Sequence, residues 1–299
     1  LAWLLLRAPD LPAAELEARY VGPQDHFLAL PAGLRLHYRD QGDPRRPVLL
    51  LLHGYGDSYA TWEAWAEHLQ TRYRVISLDL PGHGLTAAPA DYKLDPEAYA
   101  ALVARFAEAL QLPPFALAGN SMGGGVAWKV AVAHPDKLRA LVLLAAAGWP
   151  NEAPGQSPSL AFRILQHPLG RLALEHIDNR PLIAQGLRAQ VYDKSLITEA
   201  LIDRWADYQR YPGHRHILMS ASLSARQPAT PELMARIHTP TLVLHGEVDP
   251  LIPVAQGRRF AATIAGARLI TYPHAGHLPQ RELPETTSRD VDAFLSALP

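Results

Sequence analysis

Two kinds of hydrophobic pattern alternate along this chain. The run Pro47-Val48-Leu49-Leu50-Leu51-Leu52 is continuous, apolar and of strand length. It predicts a central strand buried on both faces. Further β-type runs at 73–80, 115–118, 138–144, 241–245 and 268–272 predict more strands. Between them lie stretches with helical spacing. Residues 61–69 place Trp62, Trp65, Ala66 and Leu69 on one side of a helix. Residues 96–110 form another, opened by Asp95 as N-cap and Pro96 as first helical residue. Helices are also predicted over 122–134 and 284–298. An opening hairpin pairs 27–30 with 34–39 across Pro31-Ala32-Gly33. Strand–helix repetition of this kind gives an α/β protein: a mostly parallel, twisted sheet flanked by helices.

The alternation stops between about 149 and 231. That region lacks β-type runs and shows helical spacing at 160–166, 171–175, 181–192, 198–208 and 216–224. It predicts a helical cap inserted after the strand at 138–144. The expected division is an extension at 1–24, a core made of 25–148 and 232–299, and a cap at 149–231. A cap lying over a reactive centre excludes water and shapes an apolar pocket. Phe162, Leu187 and Trp205 are the candidate substrate-binding residues there, with Leu165, Tyr192, Tyr208 and Tyr211 behind them. The alternative for each is ordinary packing within the cap. His214-Arg215-His216 has no carboxylate at helical spacing, so a solvated turn is expected and not a metal site.

Reactive chemistry concentrates at strand ends. Gly119-Asn120-Ser121-Met122-Gly123-Gly124 reads G-x-S-x-G between the strand at 115–118 and the helix at 122–134. Such a sharp turn lifts a serine hydroxyl out of the sheet. The helix N-terminus behind it offers N–H groups to a developing negative charge. The central strand ends in His53-Gly54-Tyr55-Gly56, a loop suited to close backbone approach. The N–H groups of Tyr55 and Met122 are the expected oxyanion hole, with His53 and Gly54 beside the substrate. His53 supports that loop and is not the base. Asp249 follows the strand at 241–245 and is the candidate acid, with Glu247 the competitor. His277 follows the last strand and is the candidate base, with His274 the competitor. A neutral imidazole suits proton removal from a hydroxyl near neutral pH, and a carboxylate fixes its tautomer.

The chain order Ser121, Asp249, His277 is that of α/β-hydrolases. Together with Asp79-Leu80-Pro81-Gly82-His83-Gly84 and Ala275-Gly276-His277, these motifs make residues 25–298 resemble an α/β-hydrolase-fold serine hydrolase of the carboxylesterase and lipase type. The resemblance implies hydrolysis of short- to medium-chain carboxylic esters through an acyl-enzyme, with no cofactor and no metal. Gly119 to Gly124 also resembles carbon–carbon bond hydrolases acting on vinylogous diketones. In that group the catalytic histidine is commonly followed by Trp, where this chain has Leu278. A cofactor-free perhydrolase is the third reading. Dehalogenase and epoxide hydrolase chemistry needs an aspartate where Ser121 stands.

Composition adds limits. A net charge of −1 gives no electrostatic case for a nucleic-acid partner. With no cysteine, disulfides, thiol catalysis and cysteine-ligated metals are excluded. The chain opens Leu1-Ala2-Trp3-Leu4-Leu5-Leu6-Arg7, too short an apolar run to span a bilayer. It is expected to be the remnant of a signal or anchor, with 8–20 as a juxtamembrane stalk or short docking helix. Membrane attachment through the N-terminus and a cell-envelope location follow from that expectation. The alternative is a free extension of a cytoplasmic protein.

Overall fold

The computed structural model describes residues 7–89, 91–150, 167–220 and 227–298. Eight strands form one sheet: β1 (Asp25–Leu30), β2 (Leu34–Gln41), β3 (Val48–Leu52), β4 (Arg74–Leu78), β5 (Phe115–Asn120), β6 (Leu138–Leu144), β7 (Thr241–Gly246) and β8 (Arg268–Tyr272). Their order is β1-β2-β4-β3-β5-β6-β7-β8. The β1–β2 and β2–β4 pairings are antiparallel and all others are parallel. All five residues of β3 are buried, as a continuous apolar run in mid-sheet requires.

Successive side chains of each strand serve opposite cores. Leu50, Leu52, Ile76, Leu78, Leu117, Leu141 and Val243 face one layer. That layer includes Tyr99, Val103 and Phe106 of helix Pro96–Ala109 and Val126 and Val130 of helix Met122–Ala133. Leu49, Leu51, Val75, Ala118, Val142 and Leu244 face the other. There they meet Trp65 and Leu69 of helix Glu63–Leu69, and Val291, Phe294 and Leu295 of helix Pro284–Ser296. The Trp65 indole N–H donates to Thr287 Oγ1 at 2.8 Å and ties those two helices together. Helix Val254–Thr263 between β7 and β8 was not foreseen; its apolar anchor is the single buried Phe260.

Between β6 and β7 the described chain is helical. We label these helices αA for Pro168–Leu174, αB for Arg180–Gln190, αC for Glu199–Gln209 and αD for His214–Met219. The helix expected at 160–166 and the end of the one at 216–224 lie outside the described residues. So does Phe162. Ala184, Leu187, Val191, Ile197, Leu201, Ile202 and Trp205 form a small core within this insertion, and Leu278 of the main core joins it.

One expectation fails here. His214 and Arg215 are not in a solvated turn; both are buried at the start of αD. The His214 ring nitrogens face the carbonyls of Tyr208 (2.7 Å) and Thr86 (2.9 Å). Arg215 is paired with Asp10 at 2.7 Å. Thr86 and Asp10 are distant in sequence, so local polarity could not reveal them.

The N-terminal segment docks against the same region. Ala8 N–H donates to the His176 carbonyl, and Leu11 N–H to that of Arg210. Helix Ala13–Tyr20 buries Leu16 beside Tyr59, Tyr208 and Tyr211. Glu17 pairs with Arg35 on β2 at 2.7 Å.

Candidate active site

The C-terminal ends of β3, β5 and β6 meet at Ser121, and the loop after β8 reaches its neighbour Asn120. The backbone of Ser121 has φ 54° and ψ −116°, a positive φ rarely adopted by a non-glycine residue. Neighbouring strands hold it there. Ser121 N–H donates to the Leu144 carbonyl at 3.0 Å, and Ala147 N–H donates to the Ser121 carbonyl at 3.0 Å. Strain of this kind costs on the order of 1–3 kcal/mol and persists where the surroundings over-determine it. A Cβ at Gly119 would strike the backbone of Gly123, and one at Gly123 would strike the carbonyls of Leu52 and His53. The flanking glycines therefore let β3, β5 and the following helix close around the serine.

Met122 is the first residue of that helix, where N–H groups have no partner within the helix. The β3 loop passes directly over the turn. A Cβ built on Gly54 would lie 3.3 Å from Ser121 Cβ. His53 is fully buried and accepts the Leu80 N–H on Nε2 at 3.0 Å, so its Nδ1–H donates to the Gly54 carbonyl at 2.7 Å. Tyr55 sends its hydroxyl to the Leu218 carbonyl at 3.0 Å, linking this loop to αD. The His83 ring packs 4.7 Å from that of His53. Burial, aided by the nearby His53 and His214, holds His83 well below the usual imidazole range.

Asp249 and His277 meet. His277 Nδ1 lies 2.7 Å from Asp249 Oδ2, and both residues are buried. The other carboxylate oxygen accepts the N–H groups of Leu251 and Ile252 at 2.8 and 2.9 Å. His245 Nε2 donates to the Ile252 carbonyl at 2.8 Å and stands 3.5 Å from Asp249 Oδ2. Burial opposes ionisation of Asp249, but the His277 ring, His245 and the backbone donors hold its carboxyl below the ordinary range. An ionised Asp249 accepts from Nδ1–H of His277, which leaves the Nε2 lone pair available as a base. The competitors are elsewhere. Glu247 accepts the Thr271 hydroxyl at 2.7 Å, and the exposed His274 packs against the Tyr192 ring.

Asn120 joins the two halves of the site. Its side-chain amide donates to the carbonyls of Leu144 (3.2 Å) and His277 (3.1 Å), one residue before the strained serine. Sequence reasoning assigned Asn120 no part, nor His245, nor Glu282 near the histidine. Asn120 stood inside the serine motif, but only the fold shows where its amide reaches. Leu187 and Trp205 occupy the insertion's internal core; the Trp205 indole nitrogen also lies against Gly56, 3.5 Å from a Cβ built there. Tyr208 and Tyr211 are buried, while Tyr192 is exposed. Among the described residues no group of three or more His, Asp or Glu side chains could hold a metal ion.

Comparison with known proteins identifies the family. The chain is 30% identical to 2-hydroxymuconate semialdehyde hydrolase of Pseudomonas sp. (strain CF600), over 89% of this chain and 92% of that protein. It is 29% identical to 2-hydroxy-6-oxo-6-phenylhexa-2,4-dienoate hydrolase of Burkholderia cepacia, over the same shares of each. Among solved structures it is similar to a membrane phospholipase A described as a bacterial virulence factor. The identity there is 27% and the TM-score 0.77, covering 91% of this chain and 85% of that one. Residues 47–282 match the family model described as alpha/beta hydrolase fold, and the chain is a hydrolase of the α/β-hydrolase fold family.

Proposed function

We propose that the chain is a serine hydrolase that cleaves a bond at an acyl carbon, with the carbon–carbon bond of a vinylogous diketone as its first substrate class. The observation that carries the chemistry is the Asp249–His277 hydrogen bond at the same sheet edge as the strained Ser121. The relatives support the choice of bond, since the semialdehyde and dienoate hydrolases match nearly the whole chain. This reverses the order expected from the sequence, where esters came first.

In this mechanism Ser121 Oγ attacks the ketone carbon while His277 Nε2 takes its proton. The tetrahedral oxyanion sits against the N–H groups of Tyr55 and Met122. Collapse breaks the carbon–carbon bond. The electron pair leaves on a carbon conjugated to the second carbonyl, and His277 returns the proton to it. Water then adds to the acyl-enzyme, giving its proton to the same histidine. Collapse releases the carboxylic acid and restores the Ser121 hydroxyl. No step calls for a cofactor.

Ester hydrolysis is the second reading, and two observations favour it. Leu278 is buried in the insertion's core, filling the place where the carbon–carbon hydrolases commonly carry Trp. A dienoate also brings a carboxylate that needs a cation. Arg204 on αC is already neutralised by both oxygens of Glu63 at 2.9 and 2.8 Å. The same steps apply, with an alcohol as leaving group. Membrane attachment through the N-terminus is a separate proposal, supported by the apolar Leu1-Ala2-Trp3-Leu4-Leu5-Leu6 and the likeness to a membrane phospholipase. Partition of the full chain into the soluble fraction, with no association with lipid vesicles, would remove it.

The deciding measurement is kcat/KM of the wild type on a 2-hydroxy-6-oxo-dienoate and on p-nitrophenyl esters from acetate to palmitate. A preference for the dienoate upholds the first reading, and a preference for an ester upholds the second. Ser121→Ala should lower kcat about 10⁴-fold or more with the thermal midpoint little changed. Fluorophosphonate labelling at any residue other than Ser121 would sink both.

A further inference from the structure

The histidine loop is not a free loop. It is fastened to the helical insertion through its own backbone. Gln190 is the last residue of αB, where helix carbonyls lack partners within the helix. Its carbonyl accepts the backbone N–H of His277 at 2.7 Å. Two residues later, Tyr192 N–H donates to Glu282 Oε2 at 2.6 Å. The other oxygen of Glu282 accepts Gly276 N–H at 2.8 Å and Leu278 N–H at 3.3 Å. One carboxylate therefore spans the insertion and both neighbours of His277. Gly276 is required by the same approach, because a Cβ there would collide with the Gln190 carbonyl. Val191 and Leu278 close the joint in one apolar cluster.

We propose that Glu282 is a positioning residue for His277: with the C-terminus of αB it latches the helical insertion to the backbone on either side of the base. This rests on the reading of Ser121 and His277 as nucleophile and base. Glu282 does not touch the reacting atoms. It acts by fixing the 276–278 backbone, and hence the direction of the imidazole, while Asp249 fixes the tautomer. The carboxylate is half-buried, and burial together with the nearby Asp249 raises its pKa despite the three backbone donors.

Two variants separate the latch from general damage. Glu282→Ala removes both halves of the bridge. Glu282→Gln keeps one oxygen, which can serve the two loop donors, but turns an N–H₂ toward Tyr192. Two quantities are read: hydrogen exchange at the amides of Tyr192, Gly276 and Leu278, and the rate of fluorophosphonate reaction at Ser121. Glu282→Ala should lose protection at all three amides and slow phosphonylation about 10- to 100-fold, as misplacement of a catalytic group on the order of 1 Å does. Glu282→Gln should lose protection at Tyr192 alone and react within a few-fold of wild type. Unchanged protection in Glu282→Ala would overturn the latch. Lost protection with an unchanged rate would leave a structural clamp and overturn the positioning role. A wild type that does not label at Ser121 would overturn the serine-hydrolase reading instead. That failure is distinct, because exchange is measured without any reagent and still decides whether the latch exists.

Discussion

The sheet is held together almost wholly by apolar burial, whereas the helical insertion adds directional polar joints to its apolar contacts. At the sheet, fully buried leucines and valines of β3, β5 and β6 pack against two helical layers, and the hydrogen bonds are those of the ladder. At the insertion, apolar contacts such as those of Leu174, Ile217, Leu218 and Met219 with the main core are joined by a set of polar ones. Arg204 grips Glu63, Arg215 grips Asp10, Asp207 accepts from Tyr20, and Glu282 accepts from Tyr192. Apolar burial is non-directional and scales with area, so it makes a rigid floor. Polar joints depend on geometry and on the charge of each partner, so they can be broken one at a time. The site lies where the two meet. Ser121 stands on the floor, and His277 is fastened to both.

Removing apolar volume from the floor should have the largest effect. Leu117 is fully buried on β5, with Leu50 and Leu141 opposite it on the neighbouring strands. Leu117→Ala should cost about 2–5 kcal/mol of unfolding free energy, measured by urea denaturation. A loss below about 1 kcal/mol would mean the sheet is not the rigid half of the molecule.

Next in size is an exception within the floor. His37 on β2 is fully buried between two carboxylates: Nδ1 lies 2.7 Å from Asp79 and Nε2 3.1 Å from Asp25. Burial would lower its pKa, but the bonds to Asp25 and Asp79 prevail and raise it. The same contacts, against the cost of burial, hold Asp25 and Asp79 below the ordinary carboxyl range. A raised histidine pKa stabilises the fold below the unfolded value of about 6.5, and the contribution fades as pH rises through the folded value. The lowered carboxyls contribute above about 4 and fade as pH falls through their folded values. The cluster should therefore be strongest between about pH 4 and 6.5. His37→Gln should cost stability in that window, about 3 kcal/mol for a broken buried charge cluster. It should also flatten the alkaline decline expected of the wild type. Parallel stability–pH curves for the two proteins would show that His37 is not the titrating group.

A smaller and more local loss is expected at the insertion. Arg204→Met leaves Glu63 without its bidentate partner, and Glu63 is 37% exposed on its side chain, so water compensates part of the loss. The global cost should be about 1 kcal/mol. Proteolysis within 180–211 should accelerate more than global unfolding does, because a polar joint opens locally. Equal acceleration of both would mean that insertion and sheet unfold as one unit.

How much of this was legible in the sequence follows the same division. Continuous apolar runs predicted β3, β6 and β7 to within a residue or two, because burial on both faces leaves no other composition. The Asp95 cap marked a helix start by local chemistry. The serine turn was legible because its glycines record contacts that only those residues permit. The Asp25–His37–Asp79 cluster, the Asn120 bridge and the Glu282 latch were not. Each joins residues far apart in the chain, and none leaves a periodic trace. Leu187 and Trp205 show the matching limit. Their spacing marked an apolar face, and only the fold shows that this face packs largely within the insertion.

The smallest expected effect tests whether the polar joints matter as a class or only where they are buried. Arg180 on αB bonds Asp203 at 2.6 Å and Glu199 at 2.7 Å, and Arg188 adds a further bond to Glu199 at 2.8 Å. By count this is the richest ion cluster of the insertion. All four side chains are well exposed, however, and lie within αB and αC without reaching the core. Exposed pairs are screened by water and salt and must order long side chains. Arg180→Ala should therefore leave the thermal midpoint, the kinetics and the exchange at Tyr192 unchanged at physiological salt. A measurable fall in midpoint that vanishes in 1 M salt would show that the surface network, and not only the joints to Glu63 and Glu282, holds αB against the histidine loop.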